Sequence, residues 1–391
     1  MGENVRTRVA IVGAGPAGLL LAALLRRDGI DSVVIDERGR EEIEQTIRAG
    51  ILEQGTVEVL RSLGGSRVDT VGHRHDGVEL RWDGTGHRID FQALVGRSVW
   101  LYPQHEVLVD LVAKHLADGG DLRFGVRALR VEGAETARPV VHATDADGSP
   151  LTIQADVVVG ADGSRSVARE AVTGSLTGGY FREYPFAWFG ILCEAPPSSP
   201  ELIYSTTQRG FALISQRSPA VQRMYLQCDP EQDPDAWSEA QIWDELQART
   251  GGGLQEGPVF KRDVLRFRSF VAHRLRAGRA FLVGDAAHTV PPTGAKGMNL
   301  AVADVLLLHR AIAELVATGS EAGLDAYEPT ALGRIWKAEH FSYWMTVMLH
   351  AAPDATEFDE RRRLAELELV ATSAHGSAYL AEAYTGWPIA L

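Results

Sequence analysis

Val9-Ala10-Ile11-Val12-Gly13-Ala14-Gly15-Pro16-Ala17-Gly18 decides the first half of the fold. Val9–Val12 is a short, wholly apolar run, the pattern of a strand buried on both faces. The glycines that follow stand at G-x-G-x-x-G spacing. Such a turn reverses tightly and lets the backbone approach a pyrophosphate. Pro16 suits the first turn of a helix, where an amide needs no intrahelical partner, and the pattern continues helical to Arg27. The helix N-terminus then offers N–H groups and a partial positive charge to an anion. A second strand, Ser32–Asp36, ends on a carboxylate suited to the hydroxyls of an adenosine ribose. This is the order of a dinucleotide-binding βαβ unit, with Gly13, Gly15, Ala17, Gly18 and Asp36 as its contacts.

The remaining composition narrows the partners. The chain has 391 residues and a formal net charge of −13. That balance argues against a nucleic-acid surface, which needs clustered Lys and Arg. An anionic substrate would require a local basic pocket. Cys193 and Cys228 stand outside any Cys/His cluster, so reduced thiols are expected, with neither a disulfide nor a metal site. Met1–Arg8 is polar and lacks the apolar core of a signal peptide. The apolar run Val9–Leu25 is broken by Gly13, Gly15, Pro16 and Gly18, so no membrane span is expected and a cytoplasmic location fits.

Farther along, Thr46–Leu63 reads as a helix and Val78–Trp100 as alternating antiparallel strands. Glu106–Ala117 reads as a helix, Leu122–Val159 as strand-rich, and Phe181–Gln227 as strands and turns. Asp235–Thr250 looks helical, Ala280–Val283 is a buried strand, and Met298–Thr318 and Tyr327–Val370 are helical. The expected fold is mixed α/β. A Rossmann-like FAD-binding domain (1–180, completed by 266–300) carries an inserted antiparallel β-sheet substrate domain (181–265). A helical C-terminal or interface region (301–391) follows.

Two motifs separate FAD from other dinucleotides. Val159-Gly160-Ala161-Asp162-Gly163, followed by Ser164-Arg165-Ser166, resembles the DG motif of the flavoprotein aromatic hydroxylases. Phe281-Leu282-Val283-Gly284-Asp285-Ala286-Ala287-His288 resembles their GD motif. Three longer stretches are similar to the branch of that family acting on 4-hydroxybenzoate: Ile47 to Gly55, Arg209 to Leu213, and Pro291 to Asn299. Arg334 to Glu339 adds to them. The resemblance implies a monooxygenase that uses NADH or NADPH and O2. Oxygen transfer through a flavin C4a-hydroperoxide would hydroxylate the carbon ortho to a phenol. It further implies a homodimer.

A benzoate carboxylate needs a bidentate cation and hydroxyl donors. Ser215-Gln216-Arg217 offers both, and on a strand Ser215 and Arg217 share a face. Tyr225 is evenly spaced from Arg217. The resemblance assigns Ser215, Arg217 and Tyr225 to the carboxylate. It also places Tyr204 on the substrate hydroxyl, continues the chain through Tyr384, gives His75 the passage of the proton to solvent, and turns the Pro292 carbonyl towards the substrate. Histidine suits that relay through its near-neutral pKa.

For the flavin, the resemblance points to Thr46, Ile47, Arg48, Ala49, Gly50, Ile51, Gln104, Asp162 and Asp285. It adds Lys296, Gly297, Met298 and Asn299 near the ring, Lys296 contributing positive potential. Arg165, Arg169 and Arg268 are the candidate nicotinamide-cofactor contacts. Glu37 and Glu42 stand where family members specific for NADPH carry basic or aromatic residues, and carboxylates repel a 2′-phosphate, so NADH is expected to be preferred or comparable. Two rival functions stay open at this point. One is hydroxylation of 4-aminobenzoate or a dihydroxybenzoate. The other is a flavin-binding redox protein that performs no hydroxylation.

Overall fold

In the computed structural model, residues 2–45, 50–65 and 67–389 are described. The expectations placed on Thr46, Ile47, Arg48 and Ala49 lie outside them. The strand Glu3–Val12 and the helix Pro16–Arg27 form as the glycine pattern requires, and Ser32–Asp36 pairs parallel to the first strand. Ala17 to Leu25 are all buried. This helix is apolar around its circumference because it packs against two others, Gln104–Ala117 and Gly297–Thr318. Removing such a run from water is the main stabilising term for this half of the molecule.

The first sheet orders its strands Arg276–Ala277, Ala280–Leu282, Pro150–Gly160, Glu3–Val12, Ser32–Asp36 and Asp121–Phe124. Its centre is parallel, and Val140–Thr144 and Arg127–Glu132 extend it as an antiparallel flap. The second sheet runs His288–Thr289, Val259–Ala272, Gly179–Cys193, Val221–Cys228, Gly210–Ser218, Ile203–Thr207, Gly77–Trp82 and Thr85–Asp90. Ile51–Glu53, Val99–Leu101 and His73–His75 form a third, three-stranded sheet whose strands flank Gly77–Trp82 and Thr85–Asp90 in sequence.

Three readings of the sequence change here. The helix expected over Thr46–Leu63 begins only at Gln54, because Ile51–Glu53 is a strand paired with Val99–Leu101. Apolar residues spaced as in a helix serve a short buried strand equally well. The helix expected from Asp235 starts at Glu239, where Ser238 and Gln241 form a reciprocal capping box. The strands at 77–90 join the substrate sheet: Ile203–Thr207 pairs parallel with Gly77–Trp82, so the sheet draws on both sides of the long intervening segment. A parallel partner this remote leaves no local turn signal.

The C-terminal helices Ala322–Leu349, Glu357–Thr372 and Ala374–Thr385 cover one face of the second sheet. Phe341, Met345 and Met348 from the first of them meet Tyr204, Leu213 and Tyr225 from the sheet in one buried cluster. Among the described residues, no helix is long and apolar enough to cross a membrane.

Candidate active site

The glycine turn is built around backbone contacts that a side chain would destroy. A Cβ on Gly13, whose φ is +106°, would lie 2.3 Å from the Ala161 carbonyl oxygen, and one on Gly18 would lie 2.0 Å from that of Gly13. The helix that follows has Gly15 as its N-cap, with no side-chain cap and no acid in the first turn. Its leading N–H groups are therefore available to an anion. Asp36 plays a different part from the one expected. Its carboxylate accepts from Ala14 N at 2.7 Å, from Arg38 N and Nε at 2.9 Å each, and from Arg38 Nη2 at 2.8 Å. Those bonds occupy the roughly four acceptor sites of a carboxylate. Asp36 pins the turn and holds Arg38 before it meets any ribose.

The two aspartate motifs come together at the carboxyl ends of Pro150–Gly160 and Ala280–Leu282, which pair in parallel. Asp162 Oδ2 accepts from Val167 N at 2.7 Å, starting the helix Val167–Thr173. Its Oδ1 is buried with no hydrogen-bond partner, and burial pushes the carboxyl pKa up. An orphaned acceptor beside Gly160 suits a hydroxyl-bearing cofactor. Asp285 sits half-buried in the short turn Gly284–Ala286, where Asp304 accepts from Gly284 N at 3.0 Å and from His288 at 2.6 Å. Asp304 raises the His288 pKa against the opposing effect of burial.

Arg169, expected to meet the nicotinamide cofactor, is a structural staple. It is buried, donates to the carbonyls of Ala286, Ser164, Leu176 and Asp285, and lies 4.4 Å over the Phe270 ring. Arg268 and Arg165, by contrast, are exposed, and Arg268 donates to Ser164 Oγ at 2.8 Å. Glu37 and Glu42 are also exposed.

Around the start of Gly297–Thr318, side chains and backbone divide the work. Gly297, Met298 and Asn299 are the first helical residues, and the helix has no side-chain N-cap, so its leading amides stay open. The Asn299 side chain is committed internally. Its Oδ1 accepts from Glu53 N and Thr56 Oγ1, and its Nδ2 donates to the carbonyls of Ile51 and Ala295. Lys296 is 2% exposed, not a surface charge. It donates to Glu53 Oε1 and to the Tyr384 carbonyl at 3.0 Å. The positive potential expected of it is thus largely compensated, and burial lowers its pKa. Gly50 is close-packed: a Cβ there would stand 2.1 Å from the Tyr102 carbonyl oxygen, which brings Gly50 and Ile51 beside the segment leading into half-buried Gln104.

The aromatic-acid residues converge on one face of the second sheet. Leu213 is registered between Tyr204 and Tyr225, and Ser215 is opposite Arg223. Tyr225 therefore reaches this face by inter-strand register, not by even spacing along one strand. Arg217 sits at an irregularity between Gln216 and Ser218. It is half-buried, and desolvation lowers its pKa to about 10, the neighbouring Arg223 adding to the fall. Ser215 Oγ donates to the Arg223 carbonyl at 2.7 Å, and Tyr225 lies 4.6 Å from the Trp188 ring.

At the other end Tyr204, 2% exposed, bonds Tyr384 hydroxyl to hydroxyl at 2.6 Å. Burial raises both phenolic pKa values, so both keep their protons at neutral pH. Tyr204 also donates to the Thr293 carbonyl at 3.3 Å, whereas the Pro292 carbonyl accepts from Ala295 N and closes its own turn. His75, expected to pass a proton to solvent, is buried, and desolvation lowers its pKa to about 4. It bonds Gln216 Nε2 at 3.4 Å, and among the described residues it makes no bond to Tyr384. Sequence reasoning missed Glu53, Thr293, Asp304 and Arg223. Only Arg223 left a usable signal, two residues before Tyr225 on the same strand face. Among the described residues, no group of His, Cys, Asp or Glu is placed to hold a metal ion.

Comparison with known proteins agrees with this geometry. Residues 6–342 match the family model described as the FAD binding domain. The chain is 39% identical to a p-hydroxybenzoate hydroxylase of Acinetobacter baylyi, over 99% of this chain and 96% of that protein. Its fold resembles an anhydrotetracycline hydroxylase from Streptomyces rimosus, with a TM-score of 0.76 at 24% identity, covering 99% of this chain and 78% of the other. A p-nitrophenol 4-monooxygenase from Pseudomonas putida matches with the same TM-score at 20% identity, over 99% and 100% of the two chains. An open helix N-terminus at the glycine turn and an orphaned acceptor at Asp162 suit the cofactor of such a protein, and the chain belongs to the FAD-dependent aromatic monooxygenase family.

Proposed function

We propose that this chain hydroxylates 4-hydroxybenzoate at the 3 position, giving 3,4-dihydroxybenzoate, with NAD(P)H and O2 as co-substrates. The observation that carries the reading is the polarity of one face of the second sheet. A desolvated guanidinium with Ser215 stands at one end, and a hydroxyl pair at the other. NAD(P)H would supply the two electrons, and FAD bound here would pass them to O2 and so provide the oxygen-transfer chemistry. The amides that follow Gly15 would hold its pyrophosphate, Asp162 and Asp285 its hydroxyl-bearing chain, and the amides of Gly297 and Met298 its ring.

Arg217 would take the carboxylate, with Ser215 and Tyr225 beside it. Tyr204, still protonated, gives its own hydrogen to Thr293 O or Tyr384 and leaves a lone pair for the substrate phenol. That arrangement favours a phenol over an aryl amine. Passage of the proton to His75 requires a bridging water or a side-chain movement, because His75 is bonded to Gln216. The outer arginines Arg165 and Arg268 would receive the nicotinamide cofactor. Arg38 is committed to Asp36 and Arg40 to Glu44 at 2.7 Å, so neither basic residue of the linker is left for a 2′-phosphate. NADH is the co-substrate this favours. The reading includes a cytoplasmic homodimer, which light scattering on the purified protein would check.

The deciding experiment incubates the FAD-loaded protein with NADH or NADPH and a panel of para-substituted benzoates, with product identification. Stimulated NADH oxidation together with 3,4-dihydroxybenzoate is the expected result. No stimulation and no dihydroxylated product from 4-hydroxybenzoate would overturn the assignment.

A further inference from the structure

In the substrate sheet Gly190 is registered opposite Tyr225 on one side and Asp263 on the other. A Cβ on Gly190 would stand 2.1 Å from Asp263 Oδ1 and 3.4 Å from Tyr225 Cε1. The glycine is the notch into which the carboxylate folds. There Oδ1 is buried with no hydrogen-bond partner, while Oδ2 faces Arg223 Nη2 at 3.4 Å. The Arg223 guanidinium lies 5.0 Å over the Tyr225 ring. Arg223 is therefore held between a ring and a carboxylate. A buried carboxylate oxygen left unsatisfied costs stability, and the Asp263 side chain, otherwise 39% exposed, has Arg223 as its ion-pair partner. Asp263 also acts on Arg217, favouring its charged form while Arg223 opposes it.

We propose that Asp263 is a positioning and specificity-determining residue of the aromatic-acid pocket: it restrains Arg223 and cancels one of two guanidinium charges, so that the pocket accepts a ring with one carboxylate and rejects a ring with two. The proposal rests on the reading of the pocket given under Proposed function. Two guanidiniums and one carboxylate sum to a single positive charge, which one benzoate carboxylate neutralises. A second carboxylate on the ring meets Asp263 as a like charge.

The test uses the FAD-loaded full chain and isothermal titration with 4-hydroxybenzoate and with the diacid 4-hydroxyphthalate. Asp263→Asn keeps the shape and removes the charge. It should bind the monoacid on the order of fivefold more tightly, and the diacid by a clearly larger factor, roughly twentyfold. Both gains should disappear when Arg223→Gln is added, and Asp263→Glu should restore the wild-type ratio of the two affinities. Asp263→Ser is a second charge-removing variant with the same expectation, should the asparagine fail to fold. A merely structural role would weaken both ligands together and leave the ratio unmoved; an unchanged ratio overturns the inference. Wild-type protein that binds neither ring overturns the aromatic-acid reading itself, and this inference with it.

Discussion

Arg217 gives a prediction with two readouts of opposite sign. Its pKa falls from the usual arginine range to about 10, chiefly because the guanidinium is desolvated. A fall of that size corresponds to roughly 3 kcal/mol, part of it screened by solvent in the open cleft. The sign follows from proton binding. Above about pH 10 the unfolded chain still holds the proton that the folded chain releases, so the penalty is fully present at neutral pH and is relieved only as pH rises through 10. Without a ligand, Arg217 destabilises the fold at pH 7. On the proposed reading, a bound aromatic acid would give the same charge a carboxylate partner. Arg217→Gln should therefore leave the ligand-free melting temperature unchanged or raise it by about 1–3 °C. It should weaken 4-hydroxybenzoate by about 2–5 kcal/mol, roughly 30-fold to several-thousand-fold in Kd. Differential scanning calorimetry and titration on the FAD-loaded protein read the two effects separately. A lower melting temperature with unchanged affinity would refute the reasoning and make Arg217 a structural residue.

Tyr204→Phe removes the hydroxyl that links Tyr384 and the Thr293 carbonyl. It should lower kcat by on the order of 100-fold with a much smaller change in KM, measured by product formation under steady state. Lys296→Met leaves Glu53 uncompensated in a half-buried site. A loss of about 3–5 kcal/mol in denaturant unfolding is expected, and most of it should return in the double variant with Glu53→Gln. His75, whose pKa drops to about 4, destabilises the protein on acidification from about pH 6.5 to 4, because the unfolded state then binds the extra proton. His75→Asn should flatten the stability profile over that window. Replacing Glu37 and Glu42 with glutamine should improve kcat/KM for NADPH relative to NADH by several-fold, as expected for two exposed charges.

The glycine turn was legible because its constraint is local. Gly13 and Gly18 answer to atoms a few residues or one strand away, and the strand–turn–helix order carries the meaning. The residues that tune the charges were not legible. Lys296 meets Glu53 across 243 positions, and a lysine beside glycines reads as exposed until the helix Gly297–Thr318 is placed. Arg169 shows the same limit in reverse. An arginine following a DG motif reads as a ligand contact, yet four carbonyls from three loops close around it. Asp36 shows a third form, since its position predicts a ribose acceptor and only the Arg38 side chain reveals that its lone pairs are already taken.

The division between backbone and side chain also explains where the anion chemistry sits in an acidic protein. With a net charge of −13, long-range attraction works against a benzoate. Dinucleotide phosphates can be held by amides at a helix start, which need no side-chain charge. A small carboxylate on a sheet has no such helix end, so on the proposed reading it would depend on Arg217, whose guanidinium is desolvated. The irregularity between Gln216 and Ser218 falls at Arg217 and leaves the Ser215–Arg223 register intact. The site is therefore most sensitive to charge at the sheet and to backbone geometry at the glycine turn. Charge-neutral substitutions at 217 and side-chain additions at 13 should separate loss of aromatic-acid binding from loss of FAD.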